Sequence, residues 1–134
     1  MVISSKGRYA LRVMVDLAEH GGDGYVSMRD VARRQELSDK YAGQVMSLLA
    51  GLVSGVTGKG GGYCLTRKPE EYPLGEILRL TEGSLAPVAC LEEGAHPCDR
   101  AAQCRTLPVW NRLGQIMGDY LDSVTLRDLL KTDE

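Results

Sequence analysis

The sequence predicts a mainly α fold carrying one small β-hairpin. Three observations predict it. Apolar residues recur every three to four positions through most of the chain, serines stand where helices would begin, and a single glycine cluster breaks the helical pattern. At 134 residues the chain suits one domain, or one small domain with an arm. A core of that size is modest, so burial against a partner subunit would help it.

The first helix is capped by Ser4 or Ser5. Its apolar stripe is Tyr9, Ala10, Val13, Met14, Leu17 and Ala18, and His20-Gly21-Gly22 ends it. Ser27 caps a second helix with Met28, Val31 and Ala32 inside and Arg29, Arg33 and Arg34 outside. Leu37-Ser38-Asp39 supplies a short turn and a new cap. A third helix runs from about Lys40, with Tyr41, Val45, Leu48, Leu49 and Leu52 inward. Two short helices joined by a tight turn make a helix-turn-helix pattern, which also occurs as a plain corner in helical domains.

The next segment narrows the choice. Val53-Ser54-Gly55-Val56 reads as a strand, residues 57–62 as a turn, and Tyr63-Cys64-Leu65-Thr66 as the returning strand. A hairpin directly after such a helix pair is a wing. Nucleotide-cradling glycine motifs do not fit, because no helix opens after the glycines. The charge pattern agrees with a nucleic-acid partner. Formal net charge is −2, yet residues 1–68 carry ten Lys/Arg against six Asp/Glu, and residues 69–134 carry six against twelve. A basic head on an acidic body is the expected result.

In a helix-turn-helix the second helix enters the major groove and its N-terminal side chains meet base edges. Here those are Ser38, Asp39, Lys40, Tyr41 and Gln44. Gln44 suits two-point pairing with adenine, whereas Ser and Lys commonly hold phosphate. Arg29 and Arg33 on the supporting helix are phosphate candidates, as is Lys59 at the wing tip. Thr57 and Gly60 flank that lysine, and the glycines let backbone approach the duplex closely.

Three cysteines, Cys90, Cys98 and Cys104, lie within 15 residues at spacing C-x7-C-x5-C. Pro87, Gly94 and Pro97 keep the stretch out of regular helix. Thiols gathered this closely in a reduced compartment suit an iron–sulfur cluster, 2Fe–2S or 4Fe–4S, with Cys3His zinc the weaker alternative. His96 is the local candidate for a further ligand. Cys64, in the wing strand, reads as a small buried hydrophobe. The stretch Met1 to Tyr9 lacks an apolar signal core, and no run of about 18 apolar residues exists to span a membrane. The expected compartment is the cytoplasm, where structural disulfides are disfavoured.

Beyond the cysteines, Trp110, Leu113, Met117, Tyr120 and Val124 step by three and four, a heptad-like seam widened by Leu107, Ile116 and Leu121. The functional expectation is a helix paired with its copy in a twofold homodimer; the alternative is a core helix within one subunit. No enzyme is expected. His20 and His96 are far apart in sequence, and no nucleophile–base or paired-carboxylate arrangement stands out.

In order and spacing the pieces resemble the winged-helix regulators that include IscR, NsrR and CymR. The resemblance covers nearly the whole chain. It is carried by Ser5-Lys6-Gly7-Arg8-Tyr9-Ala10, by Leu37-Ser38 with Tyr41 and Gln44, and by Gly51-Leu52-Val53. It continues through Gly60-Gly61-Gly62-Tyr63, the three cysteines, Leu107-Pro108-Val109-Trp110 and residues 120–126. It implies a homodimeric transcription factor on double-stranded DNA, some members of which sense iron–sulfur status, nitric oxide or redox state. The expected architecture is a winged helix-turn-helix DNA-binding domain plus a long C-terminal dimerisation helix. Residues 1–72 form the head, 73–104 a linking helix (Leu74–Glu82) and cysteine loop, and 105–134 the dimerisation helix with a short tail. A cluster-free regulator working through a partner protein or thiol oxidation is the alternative, and a metal-binding module without DNA binding is another.

Several positions depart from the family pattern. Gly43 stands where members often place a larger polar residue, and the Tyr41–Gly51 stretch looks two residues shorter than usual. Thr57 replaces a common wing arginine. Leu107 occupies the place of the histidine that completes 2Fe–2S sites in the family. Arg8 occupies the place of an acidic ligand found in some 4Fe–4S members.

Overall fold

The structure, a computed structural model, describes residues 3–22, 24–96 and 98–130. Helix α1 (Ser5–His20) begins at Ser4, whose hydroxyl accepts the Gly7 N–H, and ends at Gly21. Its apolar stripe buries Ala10, Val13, Met14 and Leu17. Asp16 is buried beside them with 1% of its surface exposed.

Helix α2 (Met28–Gln35) is capped by Ser27, and helix α3 (Asp39–Leu48) by Ser38. Between them Glu36 adopts the left-handed conformation at φ 57°, ψ 44°, which turns the chain sharply without a glycine. The buried side of α3 is Ala42, Val45 and Met46, continued by Leu49 and Leu52. This differs from the expected stripe by one step around the helix: Tyr41 and Leu48 are only half-buried. The ring of Tyr41 meets Tyr9 of α1 edge-on, 5.6 Å between centroids and 86° between planes, so it closes the rim of the core.

Strands β1 (Val53–Val56) and β2 (Gly62–Leu65) pair antiparallel, with Val53 opposite Leu65 and Val56 opposite Gly62. A further bridge joins Tyr63 to Val26, just ahead of α2, and locks the hairpin to the helix pair. Gly62 has φ 148°, and a Cβ there would collide with the Val26 carbonyl. The last glycine of the cluster is therefore demanded by that bridge. Helix-turn-helix plus hairpin make a winged helix.

Tyr72 is fully buried, and its hydroxyl joins three segments. It donates to the Leu52 carbonyl at 2.8 Å and accepts N–H bonds from Thr66 at 2.8 Å and Arg67 at 3.1 Å. Helix α4 (Leu74–Glu82) has the expected bounds and packs on α1 through Ile77 and Leu78. After the cysteine loop comes α5 (Leu107–Ser123), followed by the short α6 (Leu126–Leu129).

The expected seam of α5 stops short of Val124. That residue is extended at φ −102°, ψ 132°, its carbonyl accepts the Leu74 N–H at 2.8 Å, and its side chain packs against the core. Leu126 follows it into full burial. The chain thus returns from α5 to the head, and Leu126 shares one hydrophobic cluster with Val13, Leu49 and Tyr72.

Candidate nucleic-acid interface and cysteine loop

Helix α1 clamps the helix-turn-helix at the C-terminal end of α2. Arg34 is exposed, as expected, and its guanidinium reaches the buried Asp16, with nitrogen–oxygen distances of 2.7 and 2.9 Å. Gln35 sits at the centre of the clamp. Its amide donates to Asp16 at 2.9 Å, and its side-chain oxygen accepts from Arg12 Nε at 3.1 Å. Its backbone carbonyl accepts from Arg12 Nη2 at 2.7 Å. Arg12 also stacks over Tyr9, 4.7 Å from the ring centroid. Burial pushes the Asp16 carboxyl up, but the hydrogen bonds from Arg34 and Gln35 and the charge of Arg34 outweigh it, and the net shift is downward. A lone carboxylate inside an apolar helix stripe signals in sequence that a cation must cover it. Which cation covers it is not visible there.

The turn so held presents the expected reading residues. Ser38, Asp39, Lys40 and Gln44 are exposed, and Tyr41 is half-buried. The Ser38 hydroxyl accepts the Tyr41 N–H at 3.0 Å, which leaves its own proton for an acceptor outside. Gly43 is half-buried, and a Cβ there would make ordinary van der Waals contact with the Met28 side chain. On α2 Arg29 is exposed, and Arg33 pairs with Asp30 at 3.2 Å. Thr57, Lys59 and Gly60 all lie exposed in the wing turn, which a Gly61 N–H to Gly58 carbonyl bond of 3.0 Å closes. Among the described residues Arg29, Lys40 and Lys59 have no ion pair, so their charges are available to a polyanion.

The cysteine loop is built differently. Between residues 88 and 104 its backbone bonds are local, such as Leu91 N–H to Val88, Glu92 to Ala89 and Ala101 to Cys98. Cys90 lies in a 3₁₀ turn over Ala89–Leu91, and it, His96 and Cys98 are exposed. Cys104 is half-buried just ahead of α5. A hydrogen bond with the Thr106 hydroxyl, 3.4 Å away, together with backbone N–H groups at the start of α5, holds its thiol below the ordinary range. Among the described residues no group of three Cys, His, Asp or Glu side chains is gathered closely enough to hold a metal. Pro97 lies outside the described residues. Cys64, expected buried, is half-buried and lines a cleft of about 330 Å3 behind the wing.

A second cleft, of about 490 Å3, opens between the end of α4, the loop and α5. Arg79, Leu91, Glu93, Asn111 and Asp119 are among its lining residues, so the loop and α5 share a boundary. Helix α5 itself has no fully buried residue. Val109, Ile116 and Tyr120 are 57%, 50% and 65% exposed, and Leu113 is 38% exposed. Trp110 and Met117 are half-buried. An apolar row this open on a 17-residue helix lacks a covering partner in the single chain.

A family model described as Rrf2, iron-dependent transcriptional regulator, matches residues 3–132. The chain belongs to the Rrf2 family. Among curated members of the Rrf2 family, CymR of Bacillus subtilis is 39% identical over 131 residues, covering 96% of this chain and 89% of the relative. The protein rrf2 of Nitratidesulfovibrio vulgaris is 36% identical over 133 residues, covering 98% and 88%. The solved structure of B. subtilis CymR, described as the global cysteine regulator of that organism, superposes with a TM-score of 0.78 over 99% of both chains. That of T. potens IscR superposes with a TM-score of 0.74 over 96% of this chain and 85% of the other. The winged helix and long C-terminal helix are therefore the family fold, and the chain is a transcriptional regulator of the Rrf2 type. No helix of the described residues is long and apolar enough to cross a membrane.

Proposed function

We propose that this Rrf2-family regulator is a homodimer whose affinity for double-stranded DNA is switched by an iron–sulfur cluster held by Cys90, Cys98 and Cys104. The observation that carries the reading is the placement of three thiols on one locally bonded, exposed loop between α4 and α5. The donor chemistry fits: soft thiolates suit iron, and the Cys104 thiol is already biased toward its anion. When bound, such a group supplies a redox-labile cross-link among the three sulfurs. Leu107 offers no ligand, so His96 or a non-protein ligand would complete the set.

The chain's own residues then do the coupling. The loop links α4, packed on α1 of the head, to α5. The Gln35 clamp holds α2 to α1 and the Tyr41–Tyr9 contact holds the reading helix to it, so a change at α4 and α1 is passed on to Ser38, Lys40 and Gln44. Ser38, Lys40, Tyr41 and Gln44 contact the major groove. Arg29 and Arg33 hold phosphate, and Thr57, Lys59 and Gly60 approach from the wing. Asp39 stands at the first turn of α3, where it complements the helix dipole and is able to accept from a cytosine amine. A coupling on the order of 1–3 kcal/mol is the usual scale of such a switch.

A second reading, thiol oxidation without a cluster, is favoured by one observation. The Cys104 thiol, lowered and on the same loop as the exposed Cys90 and Cys98, is reactive in its own right. Anaerobic purification with iron and sulfide analysis separates the two. The cluster reading expects iron, sulfide and visible absorbance, all lost in Cys98→Ala, with DNA affinity differing between loaded and stripped protein. A colourless anaerobic protein that still binds DNA selects the thiol reading.

A further inference from the structure

We infer that Lys6 is a phosphate-contacting residue of the DNA interface, contributed by α1 from outside the helix-turn-helix. The inference rests on the DNA-binding reading proposed above and adds a residue to it. Lys6 of α1 and Tyr41, Gln44, Val45 and Leu48 of α3 line one cleft of about 210 Å3. Gln44 is the exposed reading residue at that cleft, so a base edge meeting Gln44 lies within reach of whatever shares the cleft with it.

Lys6 is exposed and, among the described residues, makes no hydrogen bond or ion pair. Its neighbour Arg8 is engaged with the Ser5 hydroxyl at 3.3 Å. The packing of Tyr9 against Tyr41 fixes α1 relative to α3, so the start of α1 moves with the reading helix as one body. The apolar walls of the cleft suit the lysine stem and leave its ammonium at the rim. A lysine ammonium is a compact point charge without the planar fork that reads guanine, and the strand beside an inserted helix presents phosphate. Chemistry and placement thus both select phosphate over base.

The test is a salt series of fluorescence-anisotropy titrations on two duplexes. One is recovered from random sequence with the protein itself, and the other is a scramble of equal length. Lys6→Gln should weaken binding to both and lower the slope of log affinity against log salt by about 0.9 per protomer. Lys6→Arg should restore the slope, and thermal melts of both variants should match the parent. An unchanged slope in Lys6→Gln, with the parent binding DNA normally, overturns the inference alone. Loss of discrimination between the duplexes at an unchanged slope also overturns it, by making Lys6 a base reader. Failure of the parent to bind either duplex overturns the DNA-binding reading first, and this inference with it.

Discussion

Arg79 of α4 and Asp122 of α5 meet in a two-point ion pair, with nitrogen–oxygen distances of 2.7 and 3.2 Å. The pair bridges the linking helix and the long helix, and Asp122 also abuts Gly75 so closely that a Cβ there would strike its carboxylate. The Arg79 hydrogen bond holds the Asp122 carboxyl below its ordinary range against the opposing pull of burial.

Both partners are about half-exposed, so the pair itself stabilises by less than about 1 kcal/mol. Its larger role is to set how α5 lies on α4. Asp122→Asn should therefore lower the unfolding midpoint only slightly, whereas Gly75→Ala should loosen α5 from α4. Amide hydrogen exchange of α5 is the readout. Equal protection in Gly75→Ala and the parent would show that the close approach at Gly75 does not matter.

The Asp16 clamp makes a pH prediction. Asp16 has a folded pKa below the unfolded carboxylate value of about 3.9. Its contribution is thus fully present above that value and is lost as pH falls through the folded pKa. Denaturation curves taken from neutral pH downward should show an acid-limb loss that is smaller in Asp16→Asn than in the parent. Arg34→Met should be the more damaging change at neutral pH, by about 3 kcal/mol, because it strips the main cation from a buried carboxylate.

Glu36 offers an opposite prediction, a gain. A side chain in the left-handed region costs about 1 kcal/mol that glycine does not incur, and part of the benefit is offset by glycine's greater unfolded-state freedom. Glu36→Gly should raise stability by up to about 1 kcal/mol, and Glu36→Val should lower it by more than that, both measured by urea midpoint. A destabilised glycine variant would mean the Glu36 side chain has a role of its own.

Tyr72→Phe should cost about 1–3 kcal/mol, since it leaves the Leu52 carbonyl and the Thr66 and Arg67 N–H groups without their shared hydroxyl. The effect should concentrate at the base of the wing, as faster exchange at Thr66 and Arg67. Uniform acceleration across the chain would point instead to a global loss of packing.

Much of this architecture was readable from local pattern. The caps Ser27 and Ser38, the glycine turn and the bounds of α4 depend on residues adjacent in sequence. What was misread depended on distant partners. The burial face of α3 turned by one step because Tyr41 meets Tyr9 of another helix. The exposed Arg34 has a partner that local pattern does not give, the buried Asp16, 18 positions earlier. Val124 left the seam because its carbonyl pairs with Leu74. The cysteine spacing is plain in the sequence, but whether three thiols converge depends on the loop's conformation and its ligand, which spacing does not contain.

The exposed row on α5 makes the last prediction. Val109, Leu113, Ile116 and Tyr120 follow one another by four, three and four positions along one side of the helix. In the proposed homodimer the same row from a second copy covers them, as a twofold interface requires. Ile116→Asp would put two like charges near the twofold contact and should give a monomer by analytical ultracentrifugation. Because Ile116 touches no part of the buried core, the monomer should keep its helical circular dichroism while losing most affinity for a two-half-site duplex. A dimeric Ile116→Asp protein would move the interface off this face, and the coupling from loop to head would then need another route.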